Sequence, residues 1–462
     1  MFALTRRQAR LLRAAVRRCA SKRRPRGPDT VLRMISGKQG TFVFVRLEEA
    51  AIGCRLPTPP AQERHLAIPL ELLARIEGSD DSPVTVEAAS TTEGRAAWTD
   101  RGLPKSATFH IASTEDAGLP AMPSTFADTG RSLLEALHEA GRCATNGNAC
   151  YDLTRLQIRG SAGQVIGTDA RQALVMGGFA FPFDDDLLVP AVPLFGMREW
   201  AGESHVRVGR TPTGLCVGIG EWLVWLTEER EARFPDVGSV LRRNGGVRLK
   251  VGDDDAAALL AGLPKMPGAG DEHAPVTIGV GPSCCVRARE NDAARPVELR
   301  LADSIANGPA TAWTIDRRYL HRALLLGFRE FSSRKAGDSL LAANGPNSYL
   351  FAQLDQSSMI GSVAVDPQTS EPTASPAASK PALSLIQRRT DMKPPDPRPG
   401  PEPNDGEPND PLAEAEALRA MLGEALARSS RLVASLKSHR RQRKAIESAW
   451  SSLQQLKLGT GG

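Results

Sequence analysis

Nothing in the 462-residue chain approaches the roughly 20 uncharged apolar residues that a membrane helix needs, and arginine stands where a secretory leader carries its apolar core. The expectation is a cytoplasmic protein, neither embedded in a membrane nor exported. The seven cysteines (Cys19, Cys54, Cys143, Cys150, Cys216, Cys284 and Cys285) are odd in number and include no C-x-x-C pair. Neither a disulfide framework nor a zinc site is expected, only ordinary buried thiols. None of the seven histidines forms H-E-x-x-H or stands at ligand spacing from a cysteine. Also missing are G-x-x-x-x-G-K-[ST], G-x-G-x-x-G after a strand, and G-x-S-x-G. Ser36-Gly37-Lys38-Gln39-Gly40-Thr41 lacks the first glycine and the metal-binding hydroxyl of a phosphate loop, so it reads as a turn. Asp184-Asp185-Asp186 and Asp253-Asp254-Asp255 read as a solvated loop and a helix N-terminus. No catalysis, cofactor or metal is therefore expected.

What is present is a long chain with internal punctuation. Its length predicts about three or four units of ~100–200 residues. Composition breaks near residue 362, and residues 366–411 hold twelve prolines among Ser, Thr, Asp and Glu. That stretch reads as a disordered or polyproline-like linker. Asn409-Asp410-Pro411 then supplies a helix cap and a first-turn proline. An a/d seam starts at Leu418 and is interrupted by Arg440, Arg441, Arg443 and Lys444. A coiled coil, a two-helix hairpin or a single solvated helix all fit it.

The body shows a structural repeat. Three short apolar strands ending in Pro or Asp each precede a helix: 67–69 before 70–76, 188–190 before 192–200, and 314–316 before 319–328. Their anchors Ile68, Val189 and Ile315 recur at a domain-sized interval. Earlier helices are expected over 4–19, 131–141 and 254–263, with alternating strands over 40–45, 153–158, 220–227 and 297–301. The fold class is therefore α+β with antiparallel sheet. The expected partition is 1–123, 124–247 and 248–361, then the linker over 362–411 and the helical module over 412–458.

Charge is informative only locally, because 58 Lys+Arg against 53 Asp+Glu leave a formal charge of +5. Arg6, Arg10, Arg13 and Arg17 recur at spacings of four, three and four and share one side of the first helix, with Leu4, Leu12, Ala15, Val16 and Cys19 on the other. Residues 1–26 hold nine arginines, one lysine and no acid. A polyanion is the natural partner of such a density. An organellar transit peptide and a general arginine bias, 47 Arg to 11 Lys, are the competing readings.

Specific segments resemble the bacterial sliding clamp family, the DNA polymerase III beta subunit. Val165-Ile166-Gly167-Thr168-Asp169-Ala170-Arg171-Gln172-Ala173 is similar to that family's apolar strand followed by T-D-G-H-R-L. Arg230-Glu231-Ala232-Arg233-Phe234-Pro235-Asp236-Val237 resembles R-x-x-E-G-x-F-P-D-Y, and Ile315-Asp316-Arg317-Arg318-Tyr319-Leu320 resembles a third-domain helix start with Asp in place of Asn. Arg24-Pro25 fits the family's Arg-Pro loop. The resemblance spans residues 1–356 and implies three tandem clamp-type domains, each with two helices packed on antiparallel sheets. It also implies a head-to-tail homodimer closing around duplex DNA, a clamp loader, and DNA polymerase or repair partners bound through short peptides. The implied role is a non-catalytic processivity factor. The rival reading is a clamp-fold interaction scaffold that no longer encircles DNA.

The residues implied to meet DNA are Arg6, Arg10, Arg13, Arg17, Arg24, Arg131, Arg142, Arg318 and Arg322. The implied partner cleft comprises Thr168, Arg171, Pro235, Val240, Leu350 and Phe351. This chain departs from the family there: Arg171 and Gln172 replace the motif's His and Arg, Ser239 stands for Arg, and the last strand reads Tyr349-Leu350-Phe351-Ala352-Gln353-Leu354. A specialised paralogue serving repair or lesion bypass fits those departures. In the linker, Leu383, Leu385 and Ile386 form an apolar island similar to a Q-L-S-L-F clamp-binding peptide without its leading Gln; such a peptide would occupy the chain's own cleft or recruit a second clamp in trans, a chance aliphatic patch being the competing reading.

Overall fold

The computed structural model describes residues 1–19, 31–57, 63–112, 118–144, 152–241, 246–271, 273–291, 294–335 and 337–361. The chain divides into two units, Met1–Arg388 and Arg389–Gly462. The second unit lies outside the described residues, as do the whole of the expected linker, the helical module and Arg24.

The chain opens on a strand where helical periodicity predicted the start of a helix. Phe2–Thr5 pairs antiparallel with Pro83–Ala88, Phe2 opposite Val86 and Thr5 opposite Pro83, which buries Phe2 and Leu4. Helix α1 (Arg6–Cys19) follows at a reciprocal cap. The Gln8 amide donates to Thr5 Oγ1 at 3.1 Å and the Thr5 amide to Gln8 Oε1 at 2.9 Å. This satisfies two otherwise orphaned N–H groups.

Among the described residues four sheets form, and all the pairings between their strands are antiparallel. One runs Phe2–Thr5, Pro83–Ala88, Glu93–Asp100, Leu103–His110. Its counterpart runs Val297–Leu301, Cys284–Ala288, Pro275–Val280, Thr311–Asp316. Two longer sheets join distant stretches of chain. In one, Ala50–Leu56 meets Trp222–Thr227, with Ile52 opposite Val224. In the other, Gln172–Gly177 meets Asn347–Phe351, with Ala173 opposite Leu350. The anchors Ile68, Val189 and Ile315 are fully buried at their strand ends.

Among the described residues helices are few: α1, α2 (Leu73–Ile76), α3 (Ser132–Cys143), α4 (Val237–Leu241), α5 (Asp253–Gly262) and α6 (Arg317–Leu325). Of these, α1 packs on α2, and α5 on α6. The partner of α3 differs from expectation, because residues 193–200 form two 3-10 turns rather than a helix. Pro193 opens the first and Gly196 closes it, and a Cβ on Gly196 would lie 2.3 Å from the His138 ring of α3. The α3 backbone also presses on a strand, since a Cβ on Gly167 would lie 2.0 Å from the Ala140 carbonyl oxygen. No helix among the described residues is long and apolar enough to cross a membrane.

The remaining motifs take structural parts. Gly37 pairs with Gly40 across a two-residue turn at Lys38-Gln39, so 36–41 is the tip of a hairpin. Asp255 is buried and accepts hydrogen bonds from the Ala302 and Asp303 amides at 3.1 and 2.8 Å and from Ser304 Oγ at 2.6 Å. Among the described residues no cluster of His, Cys, Asp and Glu has the makings of a metal site.

Candidate nucleic-acid interface and partner cleft

Helix α1 buries Ala9, Leu12, Ala15 and Val16 and turns Arg7, Arg10, Arg17 and Arg18 to solvent. The expected stripe is thereby split. Arg10 and Arg17 are exposed and have no ion pair among the described residues. Arg6 is only 9% exposed: its Nη1 lies 2.9 Å from Asp80 and 3.0 Å from Asp100, and Nη2 donates to the Glu77 carbonyl at 3.2 Å. Arg13 is half-buried and ion-paired with Glu77. At ~100° per residue, positions 6 and 13 lie on the edge of the stripe, and that edge meets the acid-bearing loop after α2. Arg7 holds Asp81 loosely at 3.6 Å with both side chains mostly exposed, and Arg18 reaches the Gly196 carbonyl at 3.4 Å. Arg7 and Arg18 lie off the four-three-four stripe but belong to the same acid-free basic run of residues 1–26.

The other expected arginines among the described residues are partnered. Arg131, the N-cap of α3, pairs with Glu135 at 3.1 Å, both exposed, and exposed Arg142 lies 3.2 Å from Glu139, whose carboxylate is mostly buried and shared with Arg322. Arg318 is exposed, and its Nε lies 2.9 Å from both oxygens of Asp316, the N-cap of α6. Arg322 is a correction: its side chain is 12% exposed, and it points inward to Glu139 at 3.0 Å and Gln172 at 3.3 Å. A guanidinium so enclosed is not a lining residue.

The cleft residues sort by strand parity. On Asn347–Phe351, successive side chains point to opposite faces of the sheet. Leu350 joins a compact apolar cluster of Ile166, Ala173, Val175, Val237 and Val240, edged by half-buried Phe234, Leu241 and Leu341. Phe351 does not. It is fully buried on the helical side, its ring centroid 5.1 Å from Tyr349 and 5.8 Å from Tyr319. Of the expected set, Val240 and Leu350 meet in the cluster, and Pro235 is buried in the segment that leads into α4. Phe351 is corrected to the core. Ile166, Ala173, Phe234 and Val237 stand in the quoted motifs and Leu241 follows Val240, though none was expected in the cleft, and nothing local marks Val175 or Leu341.

Thr168 and Arg171 belong to the adjoining loop. Thr168 is buried and donates to the Gln172 carbonyl at 2.7 Å while accepting from the Ala170 amide at 3.2 Å. Arg171 is exposed, and its carbonyl receives the Ala352 amide at 2.8 Å. Tyr319 lies close by, its phenol pushed up to about 12 by burial and then by the nearby Asp169 and Asp316 carboxylates. Ala170 holds φ of 72°, a left-handed conformation, at the position where the resembled motif carries glycine. That conformation costs a non-glycine residue roughly 1–2 kcal/mol, part of which glycine's larger unfolded-state entropy cancels. Ala170→Gly is therefore expected to raise stability by about 0.5–1 kcal/mol, read as a higher denaturation midpoint at unchanged slope.

Burial raises the thiols of Cys143 to about 11 and of Cys19 and Cys216 to about 12. They stay protonated at neutral pH and are not nucleophiles.

No protein-family model and no curated protein sequence matches the chain. Solved structures do match it. A putative DNA polymerase III beta subunit from Eubacterium rectale is 11% identical, superposes with a TM-score of 0.61, and covers 76% of this chain and 99% of its own. The DNA polymerase III subunit beta of Pseudomonas aeruginosa is 14% identical with a TM-score of 0.60, over 76% of this chain and 99% of its own. A sliding clamp from the same organism bound to griselimycin is 15% identical with a TM-score of 0.60, covering 77% and 99%. The chain thus has a sliding-clamp fold, sheet-rich α+β with few helices. More particularly, the fold is that of DNA polymerase III beta subunits, the resemblance read from its motifs.

Proposed function

We propose that this chain is a DNA sliding clamp or clamp paralogue that encircles duplex DNA and tethers polymerase or repair proteins, without catalysis. The observation that carries this reading is the coincidence of a clamp fold with an acid-free helix α1 presenting Arg7, Arg10, Arg17 and Arg18 to solvent. Such contacts suit phosphates and carry no sequence preference. The reading includes three clamp domains over 1–123, 124–247 and 248–361, a homodimer, a clamp loader, and a cytoplasmic, nucleoid-associated setting. The test is loader-dependent retention on nicked circular DNA before and after linearisation, with mass photometry of the free protein. Retention by a dimer that is lost on linearisation is the expected result. Binding indifferent to linearisation supports the scaffold reading instead, which the neutralised arginines of α3 and α6 favour.

The apolar cluster around Val240 and Leu350 is proposed as the client-peptide cleft. Truncating its half-buried rim, Phe234→Ala with Leu341→Ala, is expected to weaken a synthetic QLSLF peptide about tenfold or more, because half-buried apolar contacts contribute ~1–2 kcal/mol each. The same cleft is proposed to take Leu383, Leu385 and Ile386, which lie outside the described residues. Tethering gives such a segment an effective concentration on the order of millimolar. Deleting residues 382–387 is then expected to tighten binding of added peptide, and unchanged affinity removes the segment from the cleft.

A further inference from the structure

Arg322 stands at the centre of a buried polar hub that the DNA reading does not use. Its Nη2 donates to the Glu139 carbonyl and, at 3.0 Å, to the Glu139 carboxylate. Its Nη1 donates to Gln172 Oε1 at 3.3 Å and to Cys143 Sγ at 3.2 Å, and its guanidinium carbon lies 5.6 Å from the centre of the Tyr349 ring. The Tyr349 hydroxyl donates to the same Gln172 oxygen. On its other side, Gln172 Nε2 donates to Asp169 Oδ2 at 2.8 Å. Asp169 Oδ1 in turn accepts the Arg171 and Gln172 amides at 2.9 and 2.8 Å.

The chemistry of these groups leaves the Gln172 amide one orientation. Arginine only donates and an ionised carboxylate only accepts, so the amide oxygen must face Arg322 and the amide nitrogen must face Asp169. A fixed amide fixes the carboxylate, and the carboxylate organises the backbone of residues 169–172 at the edge of the apolar cluster. We propose that Arg322 is the positioning residue of this cleft loop, acting through Gln172 and anchored on α3 by Glu139. It touches no partner itself. The proposal rests on the reading of the cluster as a peptide cleft, but its structural half stands apart from it. Lysine cannot replace this arginine, because one ammonium cannot serve Glu139, Cys143 and Gln172 as a planar fork does.

The test uses the full-length protein with Arg322→Lys, Tyr349→Phe and Gln172→Glu. Glutamate at 172 keeps an acceptor for Arg322 but faces Asp169 with like charge, so it frees the loop while Arg322 stays in place. Hydrogen exchange is read at the Arg171 and Gln172 amides, with the strand Trp222–Thr227 as reference, beside affinity for the QLSLF peptide. Losing a hydrogen bond to a charged group predicts about tenfold faster exchange at 171 and 172 and about tenfold weaker peptide binding in Arg322→Lys and Gln172→Glu. Tyr349→Phe should move both in the same direction by less. Duplex DNA affinity should hold, since none of the three residues faces solvent. Wild-type exchange at 171 and 172 in folded Arg322→Lys and Tyr349→Phe overturns the proposal. So does peptide binding by the wild type that all three variants leave unchanged. If the wild type binds no peptide while exchange still accelerates, the cleft reading fails and the positioning of the loop stands.

Discussion

Replacing Arg7, Arg10, Arg17 and Arg18 together by Gln is expected to lower affinity for a short DNA duplex about a thousandfold at ~0.15 M salt. Each neutralised phosphate contributes ~0.9 to the slope of log affinity against log salt, so four contacts flatten that slope by up to about 3.6. Helix α1 carries no acid, whereas α3 carries Glu135 beside Arg131 and Glu139, which Arg142 shares with Arg322. The matching control is Arg6→Gln with Arg13→Gln. Those side chains hold Asp80, Asp100 and Glu77, so their loss should lower the melting temperature and leave the salt slope alone. Glutamate at position 6 is a poor probe, since it would set a third carboxylate beside Asp80 and Asp100. Equal slopes for the wild type and the fourfold variant would remove α1 from the DNA site.

The parts of this molecule legible in its sequence are those set by local chemistry. Ile68, Val189 and Ile315 were found because a short apolar run closed by Pro or Asp punctuates strand ends wherever it occurs, and all three are fully buried. The strand at Phe2–Thr5 was not legible, because its pairing partner begins at Pro83 and the four residues alone fit a helix equally well. The arginine stripe shows the same limit. Helical spacing places Arg6 beside Arg10, but only the tertiary fold brings Asp80 and Asp100 to Arg6. Around the apolar cluster, motif likeness named Val240 within it, Pro235 beside it and Thr168 in the adjoining loop. It was silent on Arg322 and Gln172, whose contact joins residues 150 positions apart.

Phe351→Ala is expected to cost about 3–5 kcal/mol of stability, and Leu350→Ala nearer 2, at the lower end of the range for leucine truncation. The two residues are neighbours, but Phe351 is fully buried in a group of tilted aromatic rings with Tyr349 and Tyr319, whereas Leu350 lies in a smaller cluster with half-buried edges that can relax around the loss. Peptide binding should reverse the ranking: Leu350→Ala weakens the QLSLF peptide while Phe351→Ala, measured well below its lowered melting temperature, binds as the wild type does. The separation depends on register, Leu350 standing opposite both Ala173 and Leu341. A one-residue slip would send Phe351 to the cleft and Leu350 to the core. The opposite pattern, stability lost at 350 and peptide lost at 351, would therefore mean that this strand is paired one residue out and that Phe351, rather than Leu350, is the one of the two implied residues that faces the cleft.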